Sequence, residues 1–123
     1  MATTTRKDFD YFNKRCRLWA DWWGLTEWDL RIKHDDADDD CEAACWTQNE
    51  SRIAQIFLNS EVDDRGFDHI DKLAFHEICE LLLADLRGCA YETVSQKVVE
   101  KENHNVVNRL ENAVFPVVRK MLK

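Results

Sequence analysis

Leu73-Ala74-Phe75-His76-Glu77-Ile78-Cys79-Glu80-Leu81-Leu82-Leu83-Ala84 is the stretch that decides the fold. It sets three charged or titrating side chains, His76, Glu77 and Glu80, in an otherwise apolar run. A helix that is apolar nearly all round is a buried helix. Burying a charge without a partner is costly, so the three groups must share one solution or face a cleft.

Their spacing permits a shared solution. His76 and Glu80 are four apart and point the same way on a helix, with Glu77 one step round. An imidazole and a carboxylate at i and i+4 can grip a divalent cation, and a glutamate beside it can serve as general base. Two carboxylates with one imidazole favour Zn²⁺ less than two imidazoles do, and would admit Mn²⁺ or Fe²⁺. Direction along the last helix favours Glu102 as third ligand, with His104 as second choice and His69 and Cys79 behind them. The plainer alternative is an i,i+4 ion pair between His76 and Glu80, continued by Arg87 or Lys72.

Working outward, Phe9, Phe12, Cys16, Trp19 and Trp23 recur at steps of three and four, which predicts a first helix from Asp8, its expected N-cap, to about Trp23. Gly24 suits the residue just past its end. Residues 1–7 read as a frayed, disordered terminus. Trp28, Leu30 and Ile32 alternate with Asp29, Arg31 and Lys33, a half-buried strand. Residues 41–47 and 53–59 read as two more strands joined as a hairpin. The motif helix is expected from about His69, capped by Asp68, to Gly88. A final helix over about 94–122 carries a stripe of Val99, Val106, Leu110, Ala113 and Val117, and Pro116 should kink it. The tryptophans Trp19, Trp22, Trp23 and Trp28 read as core and helix–sheet packing.

Composition bounds the rest. The 123 residues make one domain, and 45% hydrophobic content supports one core. A net charge of −7 without a Lys/Arg run argues against a nucleic-acid partner. The start of the chain lacks the apolar run of a signal peptide, and no stretch suits a membrane span, so a cytoplasmic protein with reduced thiols is expected from its five cysteines. Cys41 and Cys45 have no clear second pair for a structural zinc site. Asp35-Asp36-Ala37-Asp38-Asp39-Asp40 reads as a solvated loop; it lacks the glycine and the downstream spacing of a calcium loop.

The run from Leu73 to Leu86 resembles the active-site helix of small phage-encoded metallopeptidases of the zincin-like fold, in which His-Glu-x-x-His precedes a leucine-rich stretch. Glu102-Asn-His104 through Leu110-Glu111 resembles their last helix, and the strands at Trp28-x-Leu-x-Ile and Ala54-x-Ile-x-Leu fit the layout upstream. The resemblance implies an α+β, minimal zincin-like domain of N-terminal helix, three-stranded sheet, motif helix and C-terminal helix. It implies a metal-dependent peptidase holding zinc or another divalent metal through His76, Glu80 and Glu102, with Glu77 as base. An edge strand, 41–47 or 53–59, would hold a peptide substrate. Glu80 stands where the family has histidine. The alternative is therefore a catalytically degenerate domain with no metal, an acidic phage protein that binds or inhibits a host protein in its cytoplasm.

Overall fold

The computed structural model describes residues 1–37 and 41–122. The chain forms an α+β fold whose described residues run β1 (Ala2–Thr3), α1 (Arg6–Trp22), β2 (Asp29–His34), β3 (Ala43–Gln48), β4 (Ile53–Leu58), β5 (Glu61–Val62), α2 (Phe67–Leu82), α3 (Ala84–Tyr91), α4 (Gln96–Ala113) and α5 (Phe115–Met121). No helix among them is long and apolar enough to cross a membrane.

The main sheet has the order β2-β4-β3. β3 and β4 pair antiparallel, as a hairpin requires, with Cys45 opposite Ile56. Arg52, in the left-handed region at φ 56°, closes the turn between them. β2 lies parallel to β4, Ile32 opposite Ile56. That arrangement puts β4 in the centre, so of the two strands expected to offer an edge only β3 does so.

The ends of the helices correct several expectations. Residues 1–7 are tied down: β1 pairs with β5, and Thr4 Oγ1 donates to the Asn59 carbonyl at 2.9 Å. Thr5, not Asp8, caps α1, and Asp8 completes a reciprocal capping box by accepting from the Thr5 N–H at 2.8 Å. Gly24 does end α1, at φ 75°. Gly66, not Asp68, precedes α2. The long motif helix breaks at Leu83, and Gly88 lies inside α3 instead of ending it. Pro116 starts a new helix after a break at Val114, where the missing proline N–H needs no partner.

Helices α1 and α2 pack together, α1 against β2 and α2 against β3. Phe9, Phe12, Cys16 and Trp19 are buried as their spacing predicts, whereas Trp23 is half-buried and Trp22 is exposed. Trp19, Phe75 and Phe115 interlock, with ring centroids 4.9 and 5.2 Å apart at Phe75, and join α1, α2 and α5. The stripe expected on α4 is rotated. Val99 and Val107 are buried, while Val106, Ala113 and Val117 are exposed.

Beside this aromatic cluster Asp71 is fully buried on α2. Its carboxylate accepts from Arg15 Nε, Trp19 Nε1 and Arg119 Nε, each at 2.8 Å. Arg15 also donates to the Leu122 carbonyl at 3.0 Å, so this one carboxylate ties both ends of the chain to α2. Removing one partner from a buried ion pair leaves the rest uncompensated. Asp71→Asn is expected to destabilise the fold by about 3 kcal/mol in urea unfolding. A change under about 1 kcal/mol would show that the clamp is dispensable.

Candidate functional site

The break at Leu83 and the turn into α4 fold α3 and α4 back along α2. Four titratable groups on α2 and α4, with Arg87 of α3, meet there. His76 gives its Nδ1–H to Glu111 Oε1. Its Nε2 stands 3.6 Å from Glu80 Oε1. The other oxygen of Glu80 accepts from Arg87 Nη1 at 2.7 Å and from Asn103 Nδ2 at 2.9 Å, and Arg87 also reaches the Asn103 side-chain oxygen at 3.3 Å. Lys72 Nζ lies 4.0 Å from the second oxygen of Glu111.

Glu77 stands apart from this network. It is 6% exposed, and among the described residues it makes no hydrogen bond or ion pair. It lines a cleft with Cys41, Ala43, His69, Leu73, His76 and Glu111. Burial pushes its carboxyl up to about 7, the Glu80 and Glu111 charges add to the rise, and His76 and Arg87 oppose it. Burial alone would lower the His76 imidazole; the Glu111 hydrogen bond and the charges of Glu77, Glu111 and Glu80 outweigh it and hold it above its ordinary value. Burial also raises the Cys45 thiol on β3, with Glu77 the next contributor. A buried carboxyl that exchanges its proton near neutrality beside a cleft is a candidate acid–base group.

The structure separates the residues named from sequence. His76, Glu77 and Glu80 converge. Glu102 does not join them: it is exposed and lines an apolar groove with Leu86, Val98 and Val106. Nine residues at 100° per residue put Glu111 on the opposite side of α4 from Glu102, and Glu111 is the carboxylate that meets His76. His104 lies seven before Glu111, on nearly the same face; its ring centroid is 6.4 Å from that of His76, and it lines a depression with Glu80, Arg87 and Cys45. His69 pairs with Glu42 at 2.8 Å, and Cys79 is a buried thiol. Of the acidic block, Asp36 is engaged by the Ser60 N–H at 2.7 Å, and Asp38 to Asp40 lie outside the described residues. Local spacing does not single out Glu111 and Asn103, because Val106 and Val107 are adjacent and either can start a stripe. The spacing Asn103, Val107, Glu111 was the available signal.

As a cation site the cluster offers a two-donor arm. Two donors about 2.1 Å from a tetrahedral ion stand about 3.4 Å apart, close to the 3.6 Å between His76 Nε2 and Glu80 Oε1. The Glu111 bond to Nδ1 turns the lone pair of the neutral ring to Nε2, as in metal-binding histidines. Among the described residues no three His, Cys, Asp or Glu side chains already stand as a metal-holding group. Compared with protein-family models, characterised proteins and solved structures, the chain shows no match.

The pH dependence of stability follows from these shifts. Glu77 has a folded value raised from 4.5 to about 7, so folding is unopposed below 4.5, weakens as pH rises through the window, and carries the full penalty above about 7. The raised His76 value acts in the same direction: its contribution is complete below 6.5 and is lost as pH rises through the folded value. Glu77→Gln is expected to remove the larger part of this fall and to gain about 3 kcal/mol over wild type between pH 4 and pH 8, measured by urea unfolding. Parallel profiles for the two proteins would contradict the burial of an ionisable Glu77.

Proposed function

We propose that the protein is a metal-dependent hydrolase acting on peptide bonds, on a zincin-like scaffold, with Glu77 as general base. The observation that carries this reading is Glu77 itself: an acid pushed up to about 7, without a hydrogen-bond partner among the described residues, opening on a cleft beside His76.

His76 and Glu80 would hold the cation, with His104 a further donor on α4, its ring centroid 6.4 Å from that of His76. A bound divalent cation would supply a Lewis acid for the scissile carbonyl. Glu77 accepts the proton of the attacking water and returns it to the leaving amine, a role that suits a value near working pH. Glu111 fixes the His76 ring so that Nε2 faces Glu80. β3 is the edge strand nearest the site, since Ala43 lines the cleft of Glu77 and Cys45 the depression of Glu80. An extended peptide can add to such an edge through main-chain hydrogen bonds.

One observation favours the second reading, a non-catalytic protein-binding domain. Arg87 and Asn103 already satisfy one oxygen of Glu80, as in an ion pair that needs no metal.

The two readings part on one residue. With zinc or manganese present, wild type is expected to cleave an unstructured protein substrate, and Glu77→Gln to lower the rate about 10²–10⁴-fold while still binding the metal. Loss of metal binding and activity together is expected for His76→Ala. Cleavage that survives Glu77→Gln, or a pure wild type without cleavage under any metal, would sink the hydrolase reading.

A further inference from the structure

We propose that Arg87 is a built-in competitor for the cation at the His76–Glu80 pair, so that the site fills only when the guanidinium lets go of Glu80. The inference rests on the hydrolase reading and concerns how its site is regulated.

The Arg87 side chain is 15% exposed and Glu80 21%, so water screens their pairing little. Asn103 braces the pair from α4, donating to Glu80 and accepting from Arg87, which closes a three-membered ring of bonds. Both donors fall on the same carboxylate oxygen, Oε2. Only Oε1 is left toward His76 Nε2.

A single negative charge is thus already neutralised on the side away from the histidine. A cation entering at Oε1 would share that charge with the guanidinium and be repelled by it. Lys72 adds a second positive charge beside Glu111. Arginine suits this role because one nitrogen, Nη1, can donate to two acceptors at once, here Glu80 and Asn103. Arg87 lines the apolar groove with Leu83, Val99 and Val106, which gives a neutral, unbranched replacement somewhere to pack. Without Arg87 the Glu80 carboxylate would be partly buried with only Asn103 and the His76 ring beside it, and a divalent ion held between His76 and Glu80 would restore the lost counter-charge.

Zinc titration by calorimetry at neutral pH tests this on three proteins: wild type, Arg87→Met, and Arg87→Met combined with His76→Ala. Circular dichroism and thermal melting check that each is folded. Arg87→Met is expected to bind zinc at least about tenfold more tightly than wild type, and the added His76→Ala change to abolish the gain. Equal or weaker binding by folded Arg87→Met overturns the proposal, as does a gain that survives loss of His76 or the absence of binding in all three. Should Arg87→Met fail to fold, the guanidinium signal of Arg87 in wild type decides by NMR. A large shift on saturation with zinc supports displacement, and an unmoved signal overturns it. Tight zinc binding in Arg87→Met without peptide cleavage leaves the competitor standing and removes only the hydrolase reading. Zinc-dependent cleavage with an affinity indifferent to Arg87 does the reverse.

Discussion

Helix α2 must bury four groups that prefer water, and most of the structure answers that constraint. The helix lies between α1, β3 and α4, and its apolar residues Ile70, Ala74, Phe75, Ile78 and Leu81 are buried. The same packing takes Asp71 and Glu77 out of solvent and leaves His76 and Glu80 half-buried. Each of the four has its own remedy. Asp71 collects two guanidiniums and an indole N–H. Glu80 takes Arg87 and Asn103, and His76 takes Glu111. Glu77 receives no partner among the described residues and answers burial by holding its proton up to about pH 7.

That difference separates architecture from chemistry. The Asp71 cluster faces the ends of the chain: Arg15 and Arg119 reach in from α1 and α5, and α5 is thereby docked under the aromatic cluster. It is a closed arrangement with a full set of donors. Half a helix further on, His76, Glu77 and Glu80 open on clefts bounded by β3 and α4, and one of them, Glu77, is left poised. A group whose proton is held only by its surroundings is the one able to give it up or take it back during a reaction.

Much of this was legible in the sequence because buried helices and half-buried strands carry strong periodicity. The Phe9–Trp19 stripe, the Trp28–Ile32 alternation and the hairpin from 41 to 59 all lie where their patterns put them. Helix ends were less legible. Asp8 and Asp68 are good cap residues that instead became a capping-box partner and a first-turn acid on α2 paired with Arg119. Within the candidate site, local spacing gave His76, Glu77 and Glu80, since one turn of helix fixes them relative to one another. It also offered Arg87 as the continuation of the His76–Glu80 pair, where the structure has it, but it did not single out Glu111 or Asn103. Those depend on where α2 breaks and how α4 is rotated, and a shift between Val106 and Val107 turns the facing residue from Glu102 to Glu111. Spacing along one helix is local information; the rotation of its neighbour is set by packing across the whole core.

The proposed chemistry depends on the state of one carboxyl, and side-chain carbon NMR of glutamate-labelled protein reads that state directly. The resonance assigned to Glu77, identified by its absence from Glu77→Gln, should titrate with a midpoint near 7 in the metal-free protein. That midpoint lies well above the value of a free glutamate side chain, about 4.3. A Glu77 resonance that titrates near the free-glutamate value would mean that the carboxylate reaches water or a cationic partner, and the reading of the site as acid–base machinery would fall.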